Sequence, residues 1–415
     1  MSSGTNTNDE AVARPWADLL PEMCDLVLDR LDAVGVLRFP ATYGSSPDQL
    51  TSGLPTLLTS GLDLYGDDFE YDVEAGTFGL HDVATGKSFY GEAQRLRNRT
   101  WIGGKDDWLV TTDVRCGVEL LNPITGERVP LPSFDTIGKF ADPYKLCISV
   151  DYMLHHLQQV ALCQTPAHPN GYLAVAMFSS ASLDFLAFTA DGDEGWTPLK
   201  DPSGLGVHYT DVTAHNGKVF AVSDYGDIYC WDMNGTDVEF TYLQGPEFHV
   251  SNNNYIRRFY LATSSGGRLQ VVCLYGHDDR RVEDKRTRRI VFKDQLGFFH
   301  ARRVTLHELD DATAGTWRRV RDLGGDRTLF VGGNCYPFCV TVPPGGDPND
   351  DLQADCVYVA DVLGCDAAAF ELKLGDDYAY EFDWPLYYPA VYDVLQIPMW
   401  FRPTAHRIEQ APVEG

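Results

Sequence analysis

The segment "DDWLVTTDVRCGVELLNPITGERVPLP", residues 106–132, decides the fold. "WLVTT" and "GVELLN" read as consecutive strands, and the Asn, Pro, Thr and Gly of "NPITGE" read as the turn that follows them. The same unit, an apolar run, a turn built on Asp or Asn with Gly, then a second run, recurs along the chain. It appears as "FGLHDVATGKSFY" (78–90), "LAFTADGDEGWTPL" (186–199), "IYCWDMNGTDVEFTYL" (228–243) and "AAFELKLGDDYAYEF" (368–382). A further strand pair precedes several units, as "KVFAVS" precedes "DIYCWDM". Four short strands with tight turns make one small sheet. Turn glycines Gly86 and Gly126 are 40 residues apart and Gly192 and Gly235 are 43 apart, the spacing of a four-stranded propeller blade. Residues 66–403 therefore predict a mainly β chain folded as a six- or seven-bladed β-propeller. A β-sandwich is the alternative, but this span is longer than a normal sandwich.

The totals agree with a large β domain. The chain has 415 residues, and 44% of them are apolar, enough for a packed core. Net charge is −27, from 60 acidic and 33 basic residues. Nucleic acid is not expected as a partner, since phosphate binding needs clustered Lys and Arg. An acidic surface repels anionic membranes, and no run of about 18 apolar residues exists, so no membrane partner is expected. The polar start "MSSGTNTNDEAVARP" lacks the apolar core of a secretory signal. Ten cysteines are scattered in apolar runs such as "KLCISV" and "VVCLY", and they read as buried thiols of a reducing compartment, cytoplasm or nucleus or both. The sequons at Asn98 and Asn234 are then coincidental.

The N-terminal part has a different texture. Residues 1–15 read as a disordered tail. Within 16–40, Pro21 can open a helix, and Cys24, Val27, Leu28 and Leu31 fall on one apolar stripe. Val36, Leu37 and Phe39 start a second apolar element, and Pro40, Gly44, Ser45, Ser46 and Pro47 then break the pattern. Residues 41–65 read as a linker, with Leu54, Leu57 and Leu58 as possible anchors, and 404–415 as a tail. Helix elsewhere is expected only near 151–162. The terminal "LQIPMWFRP" alternates Leu395, Ile397, Met399 and Phe401, as a half-buried strand that closes the ring would. The insertion "GHDDRRVEDKRTRR" (276–289) is the one conspicuous basic run and reads as a solvated hairpin tip, with a docking or nuclear-localisation patch as the alternative.

No enzyme constellation stands out, and the chain is read as a non-enzyme. GxSxG, Walker, HExxH and post-strand GxGxxG patterns are missing. His155 and His156 are adjacent, so their side chains diverge and do not form a metal face. Cys335 and Cys339 lack a matching pair at zinc spacing. The pairs Asp67-Asp68, Asp310-Asp311 and Asp376-Asp377 read as turn chemistry. Trp108, Trp196, Trp231 and Trp317 read as packing between blades. No cofactor or metal is expected.

With these pieces in place, the chain resembles a known family. "WADLLPEMCDLVLDRLDAVGVLRFP" resembles the F-box of plant F-box proteins, through Leu20, Pro21, Leu26, Val27, Leu28, Arg30, Leu31, Leu37, Arg38 and Phe39. The remainder resembles the kelch-like KIB-type propeller that follows the F-box in that family, through residues 106–132, "RTLFVGGNCYPFCV" (327–340), "CVYVAD" (356–361) and "IPMWFRP" (397–403). The resemblance implies a substrate-receptor subunit of an SCF-type cullin ubiquitin ligase. Its F-box residues Leu20, Pro21, Leu26, Val27, Leu28, Leu31, Leu37 and Phe39 would bind a Skp-type adaptor, and its propeller would hold a client protein. One departure matters. The family's third F-box helix carries a Val-Cys-x-x-Trp signature, and "PATYGSSPDQL" stands in its place here. The F-box is thus read as truncated and adaptor binding as weak or absent, which leaves an adaptor-independent binding scaffold as the alternative.

Overall fold

Strands in this chain are apolar on both faces because each blade is covered by a neighbour on either side. The computed structural model describes residues 55–60, 77–83, 88–92, 96–113, 117–123, 125–140, 157–179, 184–200, 207–233, 238–248, 254–277, 281–284, 289–292, 301–311, 315–342, 352–361, 366–372, 380–381 and 399–402. Among them seven sheets form, six blades and one two-stranded hairpin. Blade 1 contains β1 (Thr56–Ser60), β2 (Thr77–Asp82) and β3 (Ser88–Glu92). Blade 2 contains β4 (Arg99–Lys105), β5 (Trp108–Asp113), β6 (Val118–Leu121) and β7 (Arg128–Pro130). A 3-10 helix, Phe134–Phe140, follows it. Blade 3 contains β8 (Leu157–Gln164), β9 (Leu173–Phe178), β10 (Phe185–Ala190) and β11 (Thr197–Leu199). Blade 4 contains β12 (Tyr209–His215), β13 (Lys218–Ser223), β14 (Ile228–Asp232) and β15 (Glu239–Leu243).

Blade 5 contains β16 (Asn254–Thr263), β17 (Leu269–His277), β20 (Ala301–Asp311) and β21 (Thr316–Val320). A separate hairpin of β18 (Arg281–Asp284) and β19 (Arg289–Phe292) is inserted between β17 and β20, so the basic insertion is a hairpin as read. Blade 6 contains β22 (Arg327–Gly332), β23 (Phe338–Thr341), β24 (Cys356–Asp361), β25 (Asp366–Glu371) and β26 (Tyr380–Glu381). Its strand order is β23-β22-β24-β25-β26, with β22 and β24 parallel. The last strand, β27 (Met399–Phe401), returns to blade 1 and pairs antiparallel with β1, placing Leu57 opposite Trp400 and Leu58 opposite Met399.

The core is distributed as six apolar layers, one between each pair of adjacent blades. Leu58, Met399 and Phe401 pack with Trp101 and Leu109 of blade 2, while Leu57 and Trp400 pack with Phe330 and Tyr358 of blade 6. Val271 and Cys273 face blade 4, and Val272 and Leu274 face blade 6. Neighbouring residues of one strand thus serve two different interfaces, the arrangement that produces continuous apolar runs. The layers between blades 2 and 3 and blades 3 and 4 complete a closed ring.

Tryptophans fasten the layers at their outer ends. The indole N–H of Trp196 donates to Pro132 O at 2.7 Å, that of Trp231 to Lys200 O at 2.9 Å, and that of Trp317 to Gln244 O at 2.9 Å. Each acceptor lies just past the outermost strand of the preceding blade. The packing role read for these residues is what the structure shows, with a directional hydrogen bond added.

The ring has six blades, within the six or seven expected. Three sequence expectations change. The segment 41–65, read as linker, contains β1; its Ser and Thr composition hides a strand whose Leu57 and Leu58 reach opposite interfaces. The helix expected near 151–162 is replaced, over its described part, by β8. Bulges between Leu157 and Gln159 and between Leu162 and Gln164 break the alternation of this strand, so its apolar spacing imitates a helix. The closing strand is buried on both faces rather than half-buried, because β27 lies between blades 2 and 6.

Candidate functional site

The channel at the centre of the ring is crossed by a tyrosine. Tyr336 lies between β22 and β23 of blade 6, yet its backbone N–H donates to Gly104 O of blade 2 at 3.0 Å. Its hydroxyl donates to Ala214 O of blade 4 at 2.7 Å. Lys105 of blade 2 sits 3.5 Å over the Tyr336 ring and donates to Cys163 O of blade 3 at 2.7 Å. Burial pushes the Tyr336 hydroxyl up to about 12 and lowers the Lys105 ammonium. One loop of blade 6 therefore ties blades 2 and 4 together, and Lys105 extends the cluster to blade 3. Arg402, just after β27, joins this cluster through Asp106 and stacks 5.1 Å over Phe338.

A second concave region opens at the edge of blades 5 and 6, with a cavity of about 390 Å³. One wall is a cross-strand row on blade 5. Gln270 on β17 pairs in register with Glu308 on β20, which pairs with Arg318 on β21. Glu308 is 5% exposed. It accepts from Gln270 Nε2 at 3.0 Å and from Arg318 at 2.5 Å, with Arg268 at 3.5 Å. This pairing raises the Arg318 guanidinium.

The opposite wall is the connection into β22. Gly324 and Gly325 have φ of +101° and +81°, a left-handed turn that the "DLGGDR" sequence permits at low cost. Asp355 holds that turn, accepting from Leu323 N at 2.6 Å and Gly325 N at 3.0 Å. Arg319, Arg321 and Arg327 line the cavity with Arg318, against the carboxylates of Glu308 and Asp322. Arg318 is paired with Glu308, and Arg327 with Asp326 at 3.7 Å. Gln270 is 2% exposed, and its Oε1 has no hydrogen-bond partner among the described residues.

The F-box-like residues Leu20, Pro21, Leu26, Val27, Leu28, Leu31, Leu37 and Phe39 lie outside the described residues, as do His155, His156, Asp67, Asp68, Asp376 and Asp377. Asp310 is exposed and pairs with Arg268 at 3.0 Å. Cys335 and Cys339 are free thiols, and among the described residues no group of three or more His, Cys, Asp or Glu is placed to hold a metal. No helix among the described residues is long and apolar enough to cross a membrane.

Sequence reading missed both Tyr336 and the arginine cleft. "TWRRVRDLGGDR" does carry a signal, four arginines within twelve residues of an acidic chain, but the longer basic insertion drew attention away from it. The contacts of Tyr336 join residues 122 positions apart and leave no local pattern.

A ring of six blades, closed by a strand from each end and built on these segments, matches a family model, the KIB1-4 β-propeller, over residues 78–392. The chain belongs to the KIB1-4 β-propeller family. Curated proteins give no match. This KIB1-4 propeller is similar in fold to several solved structures. One is a putative 6-phosphogluconolactonase from Bacteroides uniformis, at 10% identity and TM-score 0.34, over 80% of this chain and 96% of that one. Another is the β-propeller domain of Cps50 (Swd1) from Myceliophteria thermophila, at 9% identity and TM-score 0.27, over 80% and 86%. A third is the extracellular domain of a putative hybrid two component system from B. thetaiotaomicron, at 8% identity and TM-score 0.30; the match covers 72% of this chain and spans 29% of that protein.

Proposed function

We propose that this KIB1-4 propeller is the client-binding part of an SCF-type ubiquitin ligase receptor. The propeller holds a client protein, and the segment 16–40 engages a Skp-type adaptor. The observation that carries the client-binding half is the charged cleft at the edge of blades 5 and 6, on a ring braced by Tyr336 between blades 2, 4 and 6. The adaptor half rests on the resemblance of residues 16–40 to an F-box. A second reading, an adaptor-independent scaffold, is favoured by "PATYGSSPDQL", which occupies the place of the third F-box helix.

Titration of the full chain against a plant Skp-type adaptor separates the two. Submicromolar binding, lost on replacing Leu20→Ala with Pro21→Ala, supports the receptor. Undetectable binding removes the adaptor half and leaves the scaffold.

A further inference from the structure

We propose that the outer edge of blade 4 takes an extended segment of a partner protein as a fifth strand beside β15, one whose apolar residues alternate with basic or neutral polar ones. This surface shares no residue with the cleft at blades 5 and 6, and the inference stands whatever that cleft holds.

Three observations converge on it. First, β15 is the least blunted of the outer strands. An edge strand presents unpaired backbone N–H and C=O groups, and proteins protect such edges with short strands, proline or charge. The other outer strands carry these devices. β26 has two residues. β7 and β11 have three each, with Pro130 and Pro198 among them. β21 has five but carries Arg318 and Arg319, and β3 has five but contains Gly91, which offers no side chain to pair. β15 also has five, pairs only with β14 among the described residues, and bears one charge, Glu239 at its first residue.

Second, an aromatic ladder crosses blade 4 and ends in solvent at this edge. Trp231 on β14 lies opposite Phe240 on β15 with ring centroids 5.6 Å apart, and Tyr229 lies opposite Tyr242 at 5.7 Å. Exposure rises outward, from 9% at Tyr229 to 51% at Tyr242. Val238 shares the alternation of Phe240 and Tyr242 and is exposed as well. Aromatic or β-branched residues directly across on an added strand would continue the ladder. Strand addition at a sheet edge draws affinity from the backbone and specificity from such alternate side chains.

Third, the opposite face of β15 carries an unmatched charge. Lys218 on β13, Asp232 on β14 and Glu239 on β15 lie across from one another in register. Lys218 pairs with Asp232 at 2.9 Å, which leaves Glu239 opposite a like charge and without an ion pair among the described residues. Like charges directly opposite destabilise a sheet, and a Lys or Arg on a fifth strand would relieve this. A second copy of this chain is disfavoured as the occupant, because two chains of net charge −27 repel one another.

Fluorescence anisotropy on the full chain tests the proposal with labelled peptides. The first alternates Val or Tyr with Thr or Lys. A second has the same composition with its apolar residues grouped, so it has the charge without the alternation. A third repeats the first with alternate backbone nitrogens methylated, and a fourth carries Glu for Lys. The first should bind, with the second and third at least about tenfold weaker. Val238→Ser with Tyr242→Ser should lose about tenfold for the first peptide, and unchanged melting temperature shows that the fold is kept. Glu239→Lys should weaken the first peptide about threefold and strengthen the fourth by a similar factor.

No binding of the first peptide, equal binding of the first and second, or binding untouched by both variants would overturn the inference. So would sedimentation of the free chain as a dimer that the Val238→Ser, Tyr242→Ser variant dissociates, since the occupant would then be a second copy.

Discussion

The hydroxyl of Tyr336 donates to the carbonyl of Ala214 at 2.7 Å, across the channel and 122 residues away in sequence. Removing only that hydroxyl, by Tyr336→Phe, orphans one acceptor and should cost about 1 kcal/mol in urea unfolding. Tyr336→Ala also removes the ring beneath Lys105 and should cost more. Equal stability of the Ala variant and wild type would show that the ring does not need this tie. The phenol of the native chain should titrate near 12 in ultraviolet absorbance, because burial disfavours its anion.

Blades 2 and 3 approach closely at Gly103. A Cβ there would meet the Val160 carbonyl oxygen at 1.8 Å, a backbone atom that cannot move aside alone. Gly103→Ala should therefore separate two inner strands and destabilise by roughly 1–3 kcal/mol or more. The check is a thermal melt beside Gly192→Ala as a reference. At Gly192 nothing lies within 4 Å, although its φ of +88° carries a backbone penalty of its own.

Asp211 carries the pH dependence of the inner ring. It accepts from Gln159 Nε2 of blade 3 at 2.9 Å and from Leu261 N of blade 5 at 2.8 Å. Burial pushes its carboxyl up to about 6, outweighing those hydrogen bonds and Arg258. The folded state thus holds this proton more tightly than the unfolded chain does. Its stabilising contribution is complete below the unfolded value of 3.8 and is lost as pH rises through about 6, on the order of 3 kcal/mol.

His307 acts in the opposite direction. Burial, then Arg319 and Arg303, hold it down to about 4, so its contribution is present above 6.5 and is lost as pH falls through about 4. The two slopes offset one another between pH 4 and 6. Asp211→Asn removes one of them, and its unfolding free energy should fall on acidification relative to that of wild type. Parallel pH curves for the two proteins would sink this account.

Closure of the ring rests on a few residues at the far end of the chain. Trp400 is 3% exposed, donates to Val331 O at 2.9 Å, and meets Phe330 edge-on at 5.0 Å. Trp400→Ala should cost roughly 3–5 kcal/mol, and loss of residues 395–415 should also expose the edge of β1 and promote aggregation. Light scattering during a thermal ramp measures both effects, and an unchanged ramp would place closure elsewhere.

The sequence by itself determined the architecture. Short apolar runs, turns such as "NPITGE" and a period near 40 residues are local signals, so strands and blades were legible from them, as was the closing role of Met399 and Phe401. Bulges and composition blurred the rest, since the spacing of β8 imitated a helix and the Ser and Thr of β1 imitated a linker. The tertiary structure alone decided the blade number, the tie from Tyr336 to blades 2 and 4, and the cleft that joins Gln270 and Glu308 to Arg327. Those contacts join residues brought together only when the ring closes, and a pairing between distant strands is fixed by packing and register rather than by the neighbours of either residue in the chain.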